Sequence, residues 1–411
     1  MSESTATPLA VSPDNSLRAR IDDELRALRE ASQFRSLDIP RGINFCSNDY
    51  LGLASDPRLK QAVLDALASS ARIASGGSRL LSGNSREWEA IESEFAHFVA
   101  AESALYFSSG YAANIGLLSS VLQPNDVVFS DALNHASLID GIRLSRARKI
   151  IYPHRDLQFL ERALHENANA PGAKLIVTES IFSMEGDLAP LDEILHLAHR
   201  HSAEVIVDEA HALGVRGHEG RGIVASLPDR SRILAAVYPC GKALASCGAF
   251  VCCSAAIKDY LVNHARSFIF STANPPYIAH QIRAALALAR AVDDRRAHLR
   301  QISAALRAAL TAAGLRCSSG DTPIIPLILG SNESALRVAA DLQSAGFAAK
   351  AIRPPTVPPG TARLRLSLTS ELTHEDVARL AQAIIAATSF LRDAPSASLA
   401  HAVRPLARGS V

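Results

Sequence analysis

The sequence predicts an α/β fold: a large domain with a mostly parallel sheet between helices, then a smaller C-terminal α+β domain. Three observations predict it. From Ala104 onward, short runs of Val, Ile, Leu and Ala alternate with helical segments, the pattern of strands buried on both faces and joined by crossovers. Beyond about residue 290 the pattern changes, with alanine-rich helices framing two or three strands. At 411 residues the chain has room for two or three domains.

Composition narrows the function classes. Lys plus Arg number 42 against 41 for Asp plus Glu, without a long basic stripe, so nucleic acid and anionic membrane are excluded as partners. Six cysteines without CxxC spacing read as reduced core thiols of a cytoplasmic protein. Met1–Ser16 is polar, with Pro8 and Pro13 and no apolar core of a signal peptide. No apolar run is long enough to span a membrane. The expected divisions are a loosely started helical segment over 1–45, the large domain over 46–290, the small one over 291–393, and a disordered tail over 394–411.

Ser16–Phe34 carries an apolar stripe at Leu17, Ile21, Leu25 and Leu28 and is expected as a helix. Arg35 beyond it reads, on its own, as a solvated basic residue. Ile43–Leu53 runs from a short strand into a turn before a helix around Pro57–Ser70. Ser75–Asn84 is glycine-rich and expected as a loop, with Asn84 and Glu87 as the cap of a helix that buries Trp88, Ile91, Phe95 and Phe98. Strands are expected at 104–107, 127–129, 149–152, 175–178, 205–207, 233–237 and 249–253. In the C-terminal part, helices at 276–291, 296–313, 333–345 and 374–391 surround strands at 322–329, 348–352 and 362–368.

In parallel sheets ligands sit beyond the carboxyl ends of the strands, and four such ends carry chemistry. Ser108–Asn114 turns into a helix whose free N–H groups suit a phosphate. Asp131–Ser137 contains His135, and Glu179–Asp187 contains Ser183. Asp208 ends a buried strand, where a carboxylate is costly unless a cation faces it, and His211 follows three residues later. A pyridinium nitrogen is one such cation; a metal or a plain strand-end carboxylate are alternatives, and no second His/Asp cluster with ligand spacing supports a metal.

Lys242 lies 34 positions after Asp208, in a small-residue turn between two apolar strands. The chain has six lysines, and an apolar setting lowers an ammonium's pKa and frees the amine to attack a carbonyl. A buried lysine reaching for solvent gives the same local pattern. Taken with Asp208, the lysine fits pyridoxal 5'-phosphate (PLP) held as a Schiff base. The residues give a cofactor class and no substrate.

Ser47–Gly52, Gly76–Arg79, Ser109–Asn114, Phe182–Asp187, the Asp208–His211 turn, Lys242 and Ala351–Arg365 stand together in one order. From about residue 16 to 391 the chain thereby resembles the α-oxoamine synthases, PLP enzymes of fold type I. Ala351–Arg365 is most similar to the branch that condenses L-alanine with a pimeloyl thioester, on coenzyme A or a carrier protein, in biotin synthesis. The resemblance implies a homodimer with shared active sites. It implies catalytic roles for Lys242, Asp208, His135 and His211: Lys242 carrying the cofactor, Asp208 pairing with the ring nitrogen, His211 with the ring oxygen beside Ser183, and His135 stacking on the ring. Gly110 and Tyr111, with Thr272 or Ser271 from a second subunit, would serve the phosphate. Arg353 would clamp the amino-acid carboxylate, and Arg35, Asn48, Ser78 and Thr356 would contact substrate, which reverses the first reading of Arg35.

Two departures stand out. Three residues before the lysine the family has Thr or Ser as a phosphate donor; this chain has Pro239, without a donor. Cys240 beside the lysine is unusual, and its reactivity depends on exposure. A glycine-using relative is the nearest rival, opposed by Ser78, where such relatives carry Thr, and by Ile352–Thr356. A silent synthase subunit is opposed by the retained Lys242, Asp208 and His211. A nicotinamide-binding domain is opposed by the lack of GxGxxG after the first strand of the alternating region.

Overall fold

A computed structural model describes residues 16–70, 72–318 and 320–391. The strands are β1 Ile43–Asn44, β2 Ser103–Phe107, β3 Val127–Asp131, β4 Arg148–Tyr152, β5 Lys174–Glu179, β6 Glu204–Asp208, β7 Ile233–Pro239, β8 Ala249–Cys253, β9 Ile324–Gly330, β10 Phe347–Ala348, β11 Ala351–Ile352 and β12 Ala362–Ser367. Seven of them form the main sheet in the order β2-β8-β7-β6-β5-β3-β4. The run from β7 to β4 is parallel throughout, and β8 is antiparallel to both neighbours. The inversion follows from chain length. Only residues 240–248 separate β7 from β8, too few for the crossover that a parallel partner needs. The segment carrying Lys242 is therefore a hairpin loop.

Both sheet faces are buried except at the edge strand β4, as continuous apolar strands require. On one face helix Arg86–Phe98 lays Trp88 on Tyr106, 4.2 Å between centroids, and Phe95 on Phe250, 4.1 Å. Each such ring contributes about 1.5–3 kcal/mol by burial alone. On the other face helices Gly110–Val121 and Ala136–Ser145 bring Leu117, Leu118, Leu138 and Ile142 onto Val177, Ile206 and Val237. Among the described residues no helix is long and apolar enough to cross a membrane.

The C-terminal sheet is antiparallel, in the order β11-β12-β9. The single strand expected over 348–352 is two strands. β10 pairs in parallel with β1, Ile43 opposite Phe347, while β11 pairs with β12. One continuous strand cannot serve both sheets, so the chain bends at Ala349–Lys350. The first helix is Leu17–Glu30, shorter than expected; Ser32 takes φ +54° and turns the chain away. The glycine-rich loop contains a π-helical turn, Arg79–Gly83. The expected Asn84–Glu87 cap is not formed: Ser85 occupies the cap position, and the Asn84 amide accepts from Arg79 Nε at 2.8 Å and donates to Glu89 at 2.8 Å. The loose start and the tail expected to be disordered lie outside the described residues.

Candidate active site

Asp208 and Glu179 are the last residues of β6 and β5 and are register partners. Parallel neighbours in register point to one face, here the face under helix Gly110–Val121. Asn114 of that helix donates to Asp208 Oδ2 at 2.7 Å, and Ala210 N–H donates to Oδ1 at 2.8 Å. Asn114 Nδ2 also donates to Ser137 Oγ at 2.9 Å, and Ser137 Oγ lies 2.7 Å from His135 Nδ1. A hydrogen-bonded chain thus joins His135, Ser137, Asn114 and Asp208. Buried Asp208, 4 % exposed, is hydrogen-bonded by neutral donors, which leaves room for a cationic partner.

The turn after β6 brings His211 to Lys242, Nε2 to Nζ 3.1 Å. The other ring nitrogen lies 2.6 Å from the hydroxyl of fully buried Tyr50. Burial holds the His211 pKa well below its ordinary value, with Lys242, Arg365 and His135 adding to the effect. A neutral imidazole has one N–H, so one ring nitrogen donates and the other accepts. Burial lowers Lys242 from 10.5 to about 8, although Asp208 pulls the other way. The result is an amine near the neutral range with an imidazole against it and an acid close enough to bias its titration.

Around this centre stand other expected residues. The His135 ring is exposed to the cleft and meets Tyr111 edge-on at 6.4 Å; Tyr111 donates its hydroxyl to the Asp140 carboxylate. Gly110 opens its helix with Pro239 packed against it: a Cβ there would stand 2.9 Å from Pro239 Cγ. The substitution that removes the family's donor thus fills the space beside the helix start. Ser183 contributes its carbonyl, which accepts from Arg365 Nε at 2.5 Å. Asn48 Oδ1 accepts from Arg365 at 3.1 Å and lies 3.2 Å from the Tyr50 hydroxyl. Cys240 is fully buried and burial raises its pKa, so it is an inert thiol.

A second group gathers at the N-terminal segment. Arg35 donates to Thr356 Oγ1 at 3.3 Å and to the Pro354 carbonyl at 3.5 Å. Arg353 donates to the carbonyls of Ser32 at 2.5 Å and Phe34 at 3.3 Å, and its Nε is buried without a partner. Ser78 and Thr272 form a third group, paired in an antiparallel bridge. Neither hydrogen-bonds Lys242, Asp208 or His211; their link to the centre runs through Asn274, whose amide reaches Tyr106 at 2.9 Å and Cys247 of the lysine loop at 3.3 Å.

Sequence reasoning assigned no role to Tyr50, Asn114, Glu179 or Arg365. Arg363 and Arg365 alternate with leucines in β12 and read as a solvent face, yet both are buried. Asn114, a polar residue within an apolar helix, carried the clearest available signal.

The chain matches the aminotransferase class I and II family over residues 40–384. An 8-amino-7-oxononanoate synthase of Azoarcus sp. (strain BH72) is 46 % identical over 340 residues, covering 83 % of this chain and 86 % of the relative. A putative 8-amino-7-oxononanoate synthase of Geobacillus kaustophilus is 44 % identical over 356 residues, covering 86 % and 91 %. Among solved structures, a serine palmitoyltransferase from S. paucimobilis with bound PLP–myriocin aldimine superposes with TM-score 0.85 at 26 % identity, covering 92 % of this chain and 100 % of that one. An 8-amino-7-oxononanoate synthase from Francisella tularensis gives 0.75 at 32 % identity, covering 85 % and 99 %.

Proposed function

This chain belongs to the class I and II aminotransferase family, among the 8-amino-7-oxononanoate synthases, and we propose that it joins L-alanine to a pimeloyl thioester with loss of carbon dioxide. The observation that carries the reading is the 3.1 Å contact of Lys242 with His211, in a buried turn that starts at Asp208. These residues fit PLP on their own chemistry: a low-pKa amine for its aldehyde, a buried acid on neutral donors for its ring nitrogen, an exposed imidazole for its ring face, and a side-chain-free helix start for its phosphate.

When bound, PLP supplies an electron sink for negative charge developed at the amino acid's α-carbon. The protein does the rest. Lys242 would hold the cofactor and, as a free amine, take the α-proton, a state its burial favours. Asp208 would sit opposite the ring nitrogen, and Asn114 fixes its orientation. His211, oriented by Tyr50, would turn its remaining nitrogen to the ring oxygen. His135 and Tyr111 form the wall over the ring. Arg353 takes the substrate carboxylate by exchanging backbone carbonyl partners for a charged one, a stronger acceptor. Arg35, Asn48, Ser78 and Thr356 would contact substrate.

A homodimer in the cytoplasm is part of the reading. Ile73, Leu81 and Phe270 are large, apolar and more than two-thirds exposed, around the segments that carry Ser78 and Thr272, a surface suited to a second copy. The acyl carrier is coenzyme A or a carrier protein. The test is a visible spectrum of the purified protein with PLP, then L-alanine, then pimeloyl-CoA, with product mass and carbon dioxide measured. Lys242→Ala removes both the cofactor band and turnover. Turnover retained in that variant, or glycine accepted in preference to alanine, refutes the assignment.

A further inference from the structure

Glu179 ends β5 in register with Asp208 and has no part in the chemistry above. Both side chains lie on the face covered by helices Gly110–Val121 and Ala136–Ser145, since Val177 and Ile206, two residues back on each strand, pack there with Leu117 and Leu138. Their surroundings differ. Asp208 has two donors, Asn114 and the Ala210 N–H. Glu179 is 2 % exposed, makes no ion pair among the described residues, and its Oε1 is buried without a hydrogen-bond partner among them. A second carboxylate charge beside Asp208 is costly in a buried site, and Glu179, with the fewer donors, is the group that keeps a proton.

We propose that Glu179 is a protonated carboxylic acid at neutral pH, a positioning residue that forms with Asp208 a pair bearing one negative charge toward the cofactor. The cofactor in that statement rests on the function proposed above; the protonation does not. The ionisable groups that face Glu179 are Asp208, Lys242 and Glu185, and the backbone N–H of His135 also reaches it. Burial first and Asp208 next push the carboxyl well above the usual range, outweighing Lys242 and the His135 N–H. The consequence is electrostatic. A second anion here would hold Lys242 as an ammonium and remove the free amine that proton abstraction requires. The neutral acid fills the polar corner beside Asp208 without adding charge, and its proton is not consumed in turnover.

Infrared difference spectra of the full-length protein, wild type minus Glu179→Gln at neutral pH, test the proposal with and without PLP. The expected result is a carboxylic-acid C=O band in the wild type, shifted down in D2O and absent from the variant. Glutamine copies the neutral acid, so the variant should bind PLP within about threefold of wild type, and the pH midpoint of its cofactor band should move by less than ~0.3. No lost acid band overturns the proposal. So does a fall in PLP affinity beyond about tenfold together with a midpoint lowered by about one unit, the mark of a removed anion. Glu179→Met, which keeps length without polar atoms, gives the same band difference should the glutamine variant not fold. A protein that shows the acid band yet takes up no PLP would sink the proposed function and leave the protonation standing.

Discussion

The titration of Lys242 decides whether the site works as described. Its pKa falls from 10.5 to about 8, through burial first. At pH 7.5 this raises the unprotonated share from about one part in a thousand to about one in four, and the cost of charging the buried amine is roughly 3 kcal/mol. The sign is fixed by linkage: the folded protein binds the proton more weakly than the unfolded chain, so this lysine lowers stability below pH 8 and ceases to do so above 10.5. Stopped-flow mixing of cofactor-free protein with PLP at pH values from 6 to 10 should show capture rising about tenfold per unit at low pH and levelling near 8. Asp208→Asn removes a carboxylate that raises the pKa, so the plateau should begin at lower pH. A rate still climbing at pH 10, as for an ordinary lysine, refutes the argument.

Four further outcomes follow from named contacts. Tyr50→Phe leaves the buried His211 Nδ1 without its 2.6 Å partner; urea unfolding should show a loss of about 1–3 kcal/mol, with weakened PLP binding. His154 bridges Asp131 at 2.9 Å and Asp187 at 3.0 Å, and despite burial, which lowers its pKa, those carboxylates raise it to about 9. Its stabilisation is complete below 6.5 and disappears as pH rises through 9, so the stability gap between wild type and His154→Gln should narrow over that window. Gly222→Ala places a Cβ against Glu209 Oε2 at φ +93°, disturbing the carboxylate that accepts from Ile223 N at 2.8 Å and Val224 N at 2.9 Å. It should lose about 1–3 kcal/mol, more than Gly314→Ala, whose φ is +76° in open space. Arg353→Ala should weaken L-alanine binding roughly 10- to 100-fold in a spectral titration, the worth of charge-assisted hydrogen bonds, while leaving PLP bound.

The main sheet was legible because most of its strands are continuous apolar runs separated by segments long enough for helices. Strand direction was not legible in the runs themselves, and β8 inverts because its connection is short. The division of 348–352 into β10 and β11 depends on partners hundreds of residues away, which local pattern does not encode. At the site, Asp208, His211 and Lys242 announced themselves as ionisable groups in apolar surroundings. Tyr50 and Arg365 did not: an aromatic residue in an apolar turn passes for core, and an arginine at every second strand position passes for surface. Pro239 was visible as a missing donor, but its packing on Gly110 required the fold.

The pairing of β1 with β10 sets an order on biosynthesis. Ile43 meets Phe347, whose codon is read 304 positions later, roughly 15–60 s at ordinary ribosomal speeds. Throughout that interval the emerging amino-terminal arm, with Arg35, waits without a dock, while the seven-stranded sheet can already assemble behind it. Translation that stops short of Phe347 therefore leaves β1 without its strand partner, however much of the seven-stranded sheet has formed.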